Sequence, residues 1–261
     1  MMRSLPRLVC RAVWLAGALS WSGVDFIFTA WRSGCRASQH TRALWLQRTA
    51  SRVGRVVIAK VEISGNKPRP GLLVSNHLSY VDILLLGSIV PAVFVSKAEV
   101  KNWPVFGWFG RLGGTIFVDR TRRGDVARIA ETIAAHLRDG HVVVLFPEGT
   151  SSDGSGVLPF RSSLLEPVSG AAHDLFAARI EYFMPEGSVE NDVCYWGDMT
   201  FFPHLVKLLG KPRIKARVTF SEVESAATDR KELARQLHAE VRRLKGGGTF
   251  NIQHSTPNVE V

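Results

Sequence analysis

Gly71-Leu72-Leu73-Val74-Ser75 runs directly into Asn76-His77-Leu78-Ser79-Tyr80-Val81-Asp82 and then Ile83-Leu84-Leu85-Leu86. The stretch reads as a buried strand, a short polar turn and an apolar helix. Five residues on one helix turn through about 500°, so His77 and Asp82 would face different sides if both were helical. His77 therefore belongs to the strand-to-helix turn. Ser79 reads as the helix N-cap and Asp82 falls near the third helical position. Two readings stand at this point. His77 and Asp82 form a general base with its orienting acid, or Ser79 and Asp82 form only a capping box. The second leaves Asn76 and His77 unexplained.

Working outward, strand-like and helix-like segments alternate. Strands are predicted at 56–63, 71–75, 92–96, 115–119, 142–146 and 213–220, with helices at 80–89, 125–138, 160–167, 201–209 and 229–244. Gly124 and Gly140 bound the second of these helices. The unbroken run Val142-Val143-Val144-Leu145-Phe146 implies burial on both faces of a sheet. The expected fold is α/β: a central, mostly parallel sheet covered by helices, occupying residues 56–245. Polar residues at the ends of such strands are placed to meet ligands. From residue 246 to 261 the composition turns to Gly, Asn, Ser and Pro, which predicts a disordered tail.

The 261 residues are 46% hydrophobic, ample for one enzyme-sized core. A formal charge of +10 implies anionic company. The scattered Arg and Lys residues, without a nucleic-acid signature, disfavour DNA or RNA as the partner. Cys10, Cys35 and Cys194 lack the paired spacing of a zinc site or a disulfide framework. Cys194, inside an apolar run, reads as a buried structural thiol. The front differs in kind. Arg3, Arg7 and Arg11 precede an apolar stretch, 12–31, about long enough to cross a bilayer. Asp25 argues against a simple span, since a mid-membrane Asp costs roughly 3 kcal/mol. A membrane-associated helical segment over 1–55, lying in one leaflet with Trp14, Trp21 and Trp31 near the headgroups and followed by a basic helical connector, fits as well as a full span. A cleaved signal peptide with Ala16-Gly17-Ala18 as its cleavage site is the rival reading.

Three polar sites follow strand-like segments: Asn76 to Asp82; Thr115-Ile116-Phe117-Val118-Asp119-Arg120; and Phe146-Pro147-Glu148-Gly149-Thr150. Arg120, permanently charged and able to bind bidentately, is the candidate phosphate clamp. Gly149 lets backbone amides approach an anion closely, and the Thr150 hydroxyl can add a hydrogen bond. The order and separation of the three blocks resemble those of the PlsC-type glycerolipid acyltransferases, whose pattern is Asn-His-x4-Asp, then Ile-Phe-Val-x-Arg, then Phe-Pro-Glu-Gly-Thr. Lys97, Glu99, Trp103-Pro104 and Gly107-Trp108 resemble the segment before the second block. Leu158-Pro159-Phe160-Arg161 resembles the one after the third.

That resemblance implies transfer of an acyl group from a thioester, acyl-coenzyme A or acyl carrier protein, to the hydroxyl of a lysophospholipid, with no further cofactor and no metal. His77 and Asp82 would be catalytic. Asn76, Lys97, Arg120, Glu148, Gly149 and Thr150 would serve substrate binding, with Lys97 a candidate for stabilising the thioester oxyanion. The leading expectation is conversion of 1-acyl-glycerol-3-phosphate to phosphatidate at the cytoplasmic face of a membrane, held there by anionic lipid. Acylation of lyso-ornithine lipid is the alternative, and a non-catalytic lipid-binding module a further one. Where the family has a fourth, proline-containing apolar block, this chain reads Phe176-Ala177-Ala178-Arg179-Ile180-Glu181-Tyr182. Only the strand-like character is kept there. Trp196-Gly197-Asp198-Met199 with Pro203-His204 resembles a bacterial subgroup that includes lyso-ornithine lipid acyltransferases, with His204 read as structural.

Overall fold

The computed structural model describes residues 4–119, 123–169, 173–225 and 227–246. Two helices, α1 (Ser4–Arg32) and α2 (Gln39–Val57), lead into β1 (Ile58–Ser64), β2 (Gly71–Ser75), α3 (Val81–Ile89) and β3 (Ala92–Lys97). They are followed by α4 (Phe106–Leu112), β4 (Ile116–Val118), α5 (Arg123–Arg138), β5 (Val142–Leu145) and β6 (Leu175–Phe183). The chain closes with α6 (Val189–Asp192), α7 (Phe201–Gly210), β7 (Ile214–Val223) and α8 (Arg230–Arg243).

The strands form one seven-stranded sheet in the order β1-β7-β6-β2-β5-β3-β4. Only the β6–β7 pairing is antiparallel; β1 pairs parallel with β7, and β6, β2, β5, β3 and β4 pair parallel in turn. The α/β expectation, a mostly parallel sheet flanked by helices, holds. Every residue of β2 and of β5 is buried, as strands covered on both faces require. One core, with Leu85, Leu86 and Phe94, lies under α2 and α3; the other, with Ile133, Leu145 and Leu237, lies under α5 and α8. The central strands β2 and β5 are neighbours, so the turns leaving their carboxyl ends meet, which is where open α/β sheets gather ligands.

Two expectations change. Instead of a helix over 160–167, the chain makes two single 3₁₀ turns, Ser162–Leu164 and Glu166–Val168, because Pro167 interrupts the i to i−4 pattern. The expected connector before residue 55 is a core helix: Ala43, Trp45, Ala50, Val53 and Val56 of α2 are buried. Ser38 caps this helix by accepting a hydrogen bond from the Thr41 amide. Beyond Gly246, the tail predicted to be disordered lies outside the described residues.

The helix α1 is long and apolar enough to cross a membrane by length and composition. It does not stand clear of the body. Asp25 pairs with Arg52 of α2 at 2.7 Å and with Arg48 at 3.2 Å, and the Trp45 indole N–H donates to the Ser22 carbonyl at 2.9 Å. Near its start, Arg11 donates to the carbonyl oxygens of Leu209 and Lys211, at the end of α7. Its other face exposes Val9, Val13, Trp21, Val24, Ile27 and Trp31.

Trp45, fully buried, stacks on Phe109 at 5.6 Å and meets Phe26 edge-on at 4.9 Å. It therefore joins α1, α2 and α4. Trp45→Ala should destabilise the protein by about 3–5 kcal/mol and loosen α1 toward proteolysis. Chemical denaturation in detergent measures this, and an unchanged midpoint would contradict the packing described.

Candidate active site

The Asp82 carboxylate is wholly buried one residue inside α3. Its Oδ2 accepts hydrogen bonds from the Leu78 amide at 2.6 Å and the Ser79 amide at 2.9 Å, and contacts His77 Nδ1 at 2.8 Å. Its Oδ1 accepts from the Tyr182 hydroxyl at 2.7 Å. With Nδ1–H donating to the carboxylate, His77 keeps the lone pair of Nε2 free. The imidazole stacks on Phe146 at 4.2 Å with its ring about a fifth exposed. A side chain so held is oriented yet accessible, which suits a general base.

The capping-box expectation is half fulfilled. Asp82 reaches back to the Ser79 amide, but Tyr80 occupies the N-cap position and the Ser79 hydroxyl is buried without a hydrogen-bond partner. It is also fully shielded from solvent, so it offers no route to a substrate. The turn-capping bond and the contact to His77 therefore belong to one arrangement. The carboxylate that caps the turn also orients the imidazole.

The structure gives Asn76 and Glu148 tasks behind the site. The Asn76 side chain is 1% exposed residue-wide, with its amide donating to the Ile180 carbonyl and its oxygen accepting from the Ile180 amide, at 3.0 and 2.7 Å. It is a clamp between the turn and β6. Glu148, 2% exposed, accepts from the His77 amide at 3.0 Å. Burial, the largest influence, raises its carboxyl to about 7, against the lowering effect of the His77 and Leu158 amides. Gly149 turns with φ +78°, a left-handed conformation that glycine adopts without strain. That turn carries Gly149 and Thr150 to the cleft wall.

The cleft has a volume of about 350 Å³ and is bordered by His77, Lys97, Gly149 and Thr150. Most of its wall is apolar, including Leu46, Ala50 and Val53 of α2, Ile83 of α3 and Phe94 of β3. Leu19 of α1 also reaches it. Lys97 is exposed at the end of β3. Arg120 and Arg122 lie outside the described residues. Cys194 is buried, and burial pushes its thiol up to about 12, as suits an inert structural cysteine. His204 is also buried, with Nδ1 3.0 Å from the Tyr80 hydroxyl and Nε2 3.0 Å from the Cys194 carbonyl.

Tyr182 escaped the sequence reading because it stands 100 residues from its partner. The available signal was a tyrosine two residues beyond Ile180, hence on the same face of a strand otherwise rich in apolar residues. Arg179, on the opposite face, is 8% exposed, and its Nε has no hydrogen-bond partner. It borders a second, polar cavity of about 400 Å³ beside Asn76, Asp153, Glu181, Glu190 and Lys245.

A family model described as Acyltransferase matches residues 58–172. The lyso-ornithine lipid O-acyltransferase of Brucella abortus is 39% identical over 67% of this chain and 71% of that protein. The one from Rhizobium meliloti is 34% identical over 77% of this chain and 74% of that protein. The 1-acyl-sn-glycerol-3-phosphate acyltransferase of Neisseria meningitidis is 30% identical over 91% and 92%. Among solved structures, the 1-acyl-sn-glycerophosphate acyltransferase PlsC of Thermotoga maritima superposes with a TM-score of 0.65. It covers 93% of this chain and 95% of that one at 18% identity, a likeness of fold. With the fold, the three motif blocks and relatives of this identity and coverage in agreement, the chain belongs to the PlsC-type acyltransferase family.

Proposed function

We propose that this acyltransferase moves a fatty acyl group from a thioester to the free hydroxyl of a lysolipid, with His77 as general base. The observation that carries the reading is the 2.8 Å contact between His77 Nδ1 and the buried Asp82 carboxylate, beside an apolar cleft. His77 Nε2 takes the hydroxyl proton as the oxygen attacks the thioester carbonyl. Asp82 stabilises the imidazolium that forms. The carbon–sulfur bond then breaks, and the leaving thiolate receives the proton from His77. The thioester is already activated, so positioning the alcohol is the main task and no acyl-enzyme is needed. Lys97 at the cleft edge suits the developing oxyanion, and the apolar wall suits a fatty chain.

The acceptor we favour is lyso-ornithine lipid. The relatives from Brucella and Rhizobium support this, as does the polar cavity beside Asn76. Arg179 and Lys245 line it together with Asp153, Glu181 and Glu190. Both signs of charge suit a head bearing a carboxylate and an ammonium better than a phosphate. The Neisseria relative, aligned over nearly the whole chain, favours a second reading. In it the acceptor is 1-acyl-glycerol-3-phosphate, and Arg120 clamps the phosphate. Acyl-coenzyme A or acyl carrier protein is the donor, each an anion matched to a chain of charge +10. The exposed face of α1 lies in the cytoplasmic leaflet of a membrane rich in anionic lipid, and Asp25 stays paired with Arg48 and Arg52 against the body.

Labelled acyl thioester offered in parallel to both acceptors in vesicles tests the assignment. Lyso-ornithine lipid should be acylated with a kcat/KM at least about tenfold higher; label in phosphatidate alone would overturn the acceptor while sparing the chemistry. His77→Ala should lose transfer at nearly unchanged thermal stability, and wild-type turnover by this variant would refute the general base. Tyr182→Phe withdraws one donor from the buried Asp82 and loosens the carboxylate that orients His77. kcat should fall about tenfold with the KM for the acceptor near the wild-type value. An unchanged kcat would reduce Tyr182 to packing.

A further inference from the structure

The end of α5 carries a second constellation that the acyl-transfer chemistry does not use. The Gly140 amide donates to the Leu137 carbonyl at 3.1 Å and the His141 amide to the His136 carbonyl at 3.0 Å. Gly140 lies at φ +75°. This is the Schellman arrangement, in which the side chains five positions apart are drawn together, commonly as an apolar contact. Here those side chains are two imidazoles. Their rings meet edge to face at 5.4 Å. Asp139, the residue between the helix and Gly140, completes the group. One nitrogen of each histidine and one Asp139 carboxylate oxygen lie within 4.8 Å of one another.

We propose that His136, Asp139 and His141 bind a divalent transition metal ion of the zinc class. Three observations converge on a cation with affinity for imidazole. His136 Nδ1 is buried and has no hydrogen-bond partner, so a lone pair or an N–H is stranded unless something occupies the space beside it. His141 Nδ1 lies 3.2 Å from the His136 carbonyl oxygen. Donation there fixes the tautomer and leaves Nε2 as a ligand, the backbone-supported form that metal-bound histidines adopt. The site also sits where the helix dipole favours positive charge.

Zinc–nitrogen bonds of roughly 2.0–2.1 Å require the three ligands to draw in by about an ångström, within reach of side-chain rotation. A water would complete a tetrahedral shell. His141 immediately precedes β5, whereas the His77 turn follows the opposite end of β2. The ion therefore braces the α5–β5 junction and takes no part in acyl transfer. Its choice of imidazole and carboxylate favours zinc over the harder magnesium or calcium ions.

The test is zinc sulfate titrated into the full-length, tag-free protein in detergent, read by calorimetry and by thermal unfolding. One equivalent should bind, and saturating zinc should raise Tm by roughly 5 °C. His141→Gln and Asp139→Asn should each weaken binding at least about tenfold and lose the Tm shift, with acyl transfer unchanged. His238→Gln, remote from the cluster, should bind as the wild type does. Absence of saturable binding by the wild-type protein would overturn the proposal. So would zinc binding that survives in both His141→Gln and Asp139→Asn, since the ion would then sit elsewhere, for example at the exposed Cys10 or Cys35.

Discussion

The site depends on one buried carboxylate. Asp82 is shielded completely from water and could not remain charged there at low cost without compensation. Its compensation is the turn itself: two backbone amides, the His77 ring and the Tyr182 hydroxyl all converge on its two oxygens. The same bonds that offset desolvation shape residues 77–79, aim the imidazole and fasten α3 to β6. Stability and chemistry are thus coupled at one group. Loss of the carboxylate would leave several buried donors unsatisfied, each costing roughly 1–3 kcal/mol.

The sheet supplies the rest of the rigidity. β2 lies between β5 and β6, and each neighbour contributes to holding the turn that β2 ends in. From the turn after β5 come Phe146, stacked on His77, and Glu148, bonded to the His77 amide. From β6 come Ile180, gripped by Asn76, and Tyr182. The His77 ring is therefore positioned by elements that are themselves largely buried, so in the proposed reaction little reorganisation would remain as charge develops on the imidazole. The apolar cleft beside it is closed by α2 and reached by α1. The helix pair with the exposed apolar face is thus continuous with the wall that suits an acyl chain.

Local patterns made much of this legible. The apolar runs of β2 and β5 were readable because strands buried on both faces have no polar alternation. The spacing of His77 and Asp82 already forced the histidine into the turn. What escaped depends on contacts between distant segments. Nothing near Asn76 announces that Ile180 will occupy its amide, and nothing near Tyr182 points to Asp82. The capping inference assigned Ser79 a bond that Asp82 makes instead, since a carboxylate outcompetes a hydroxyl for backbone amides. α2 read as a connector because its basic residues mask a buried stripe that includes Trp45 and Val53. The approach of His136 to His141 depends on the left-handed turn at Gly140 that brings the rings together.

The central claim is direct attack by the acceptor hydroxyl, activated by His77, without a covalent acyl-enzyme. Mixing the enzyme with labelled acyl thioester in the absence of acceptor, quenching in acid within a turnover time and examining the intact protein by mass spectrometry addresses it directly. The account predicts no acyl adduct and initial-rate patterns that require both substrates to be bound together. An acylated side chain that forms and discharges at the rate of turnover, with ping-pong kinetics, would contradict it.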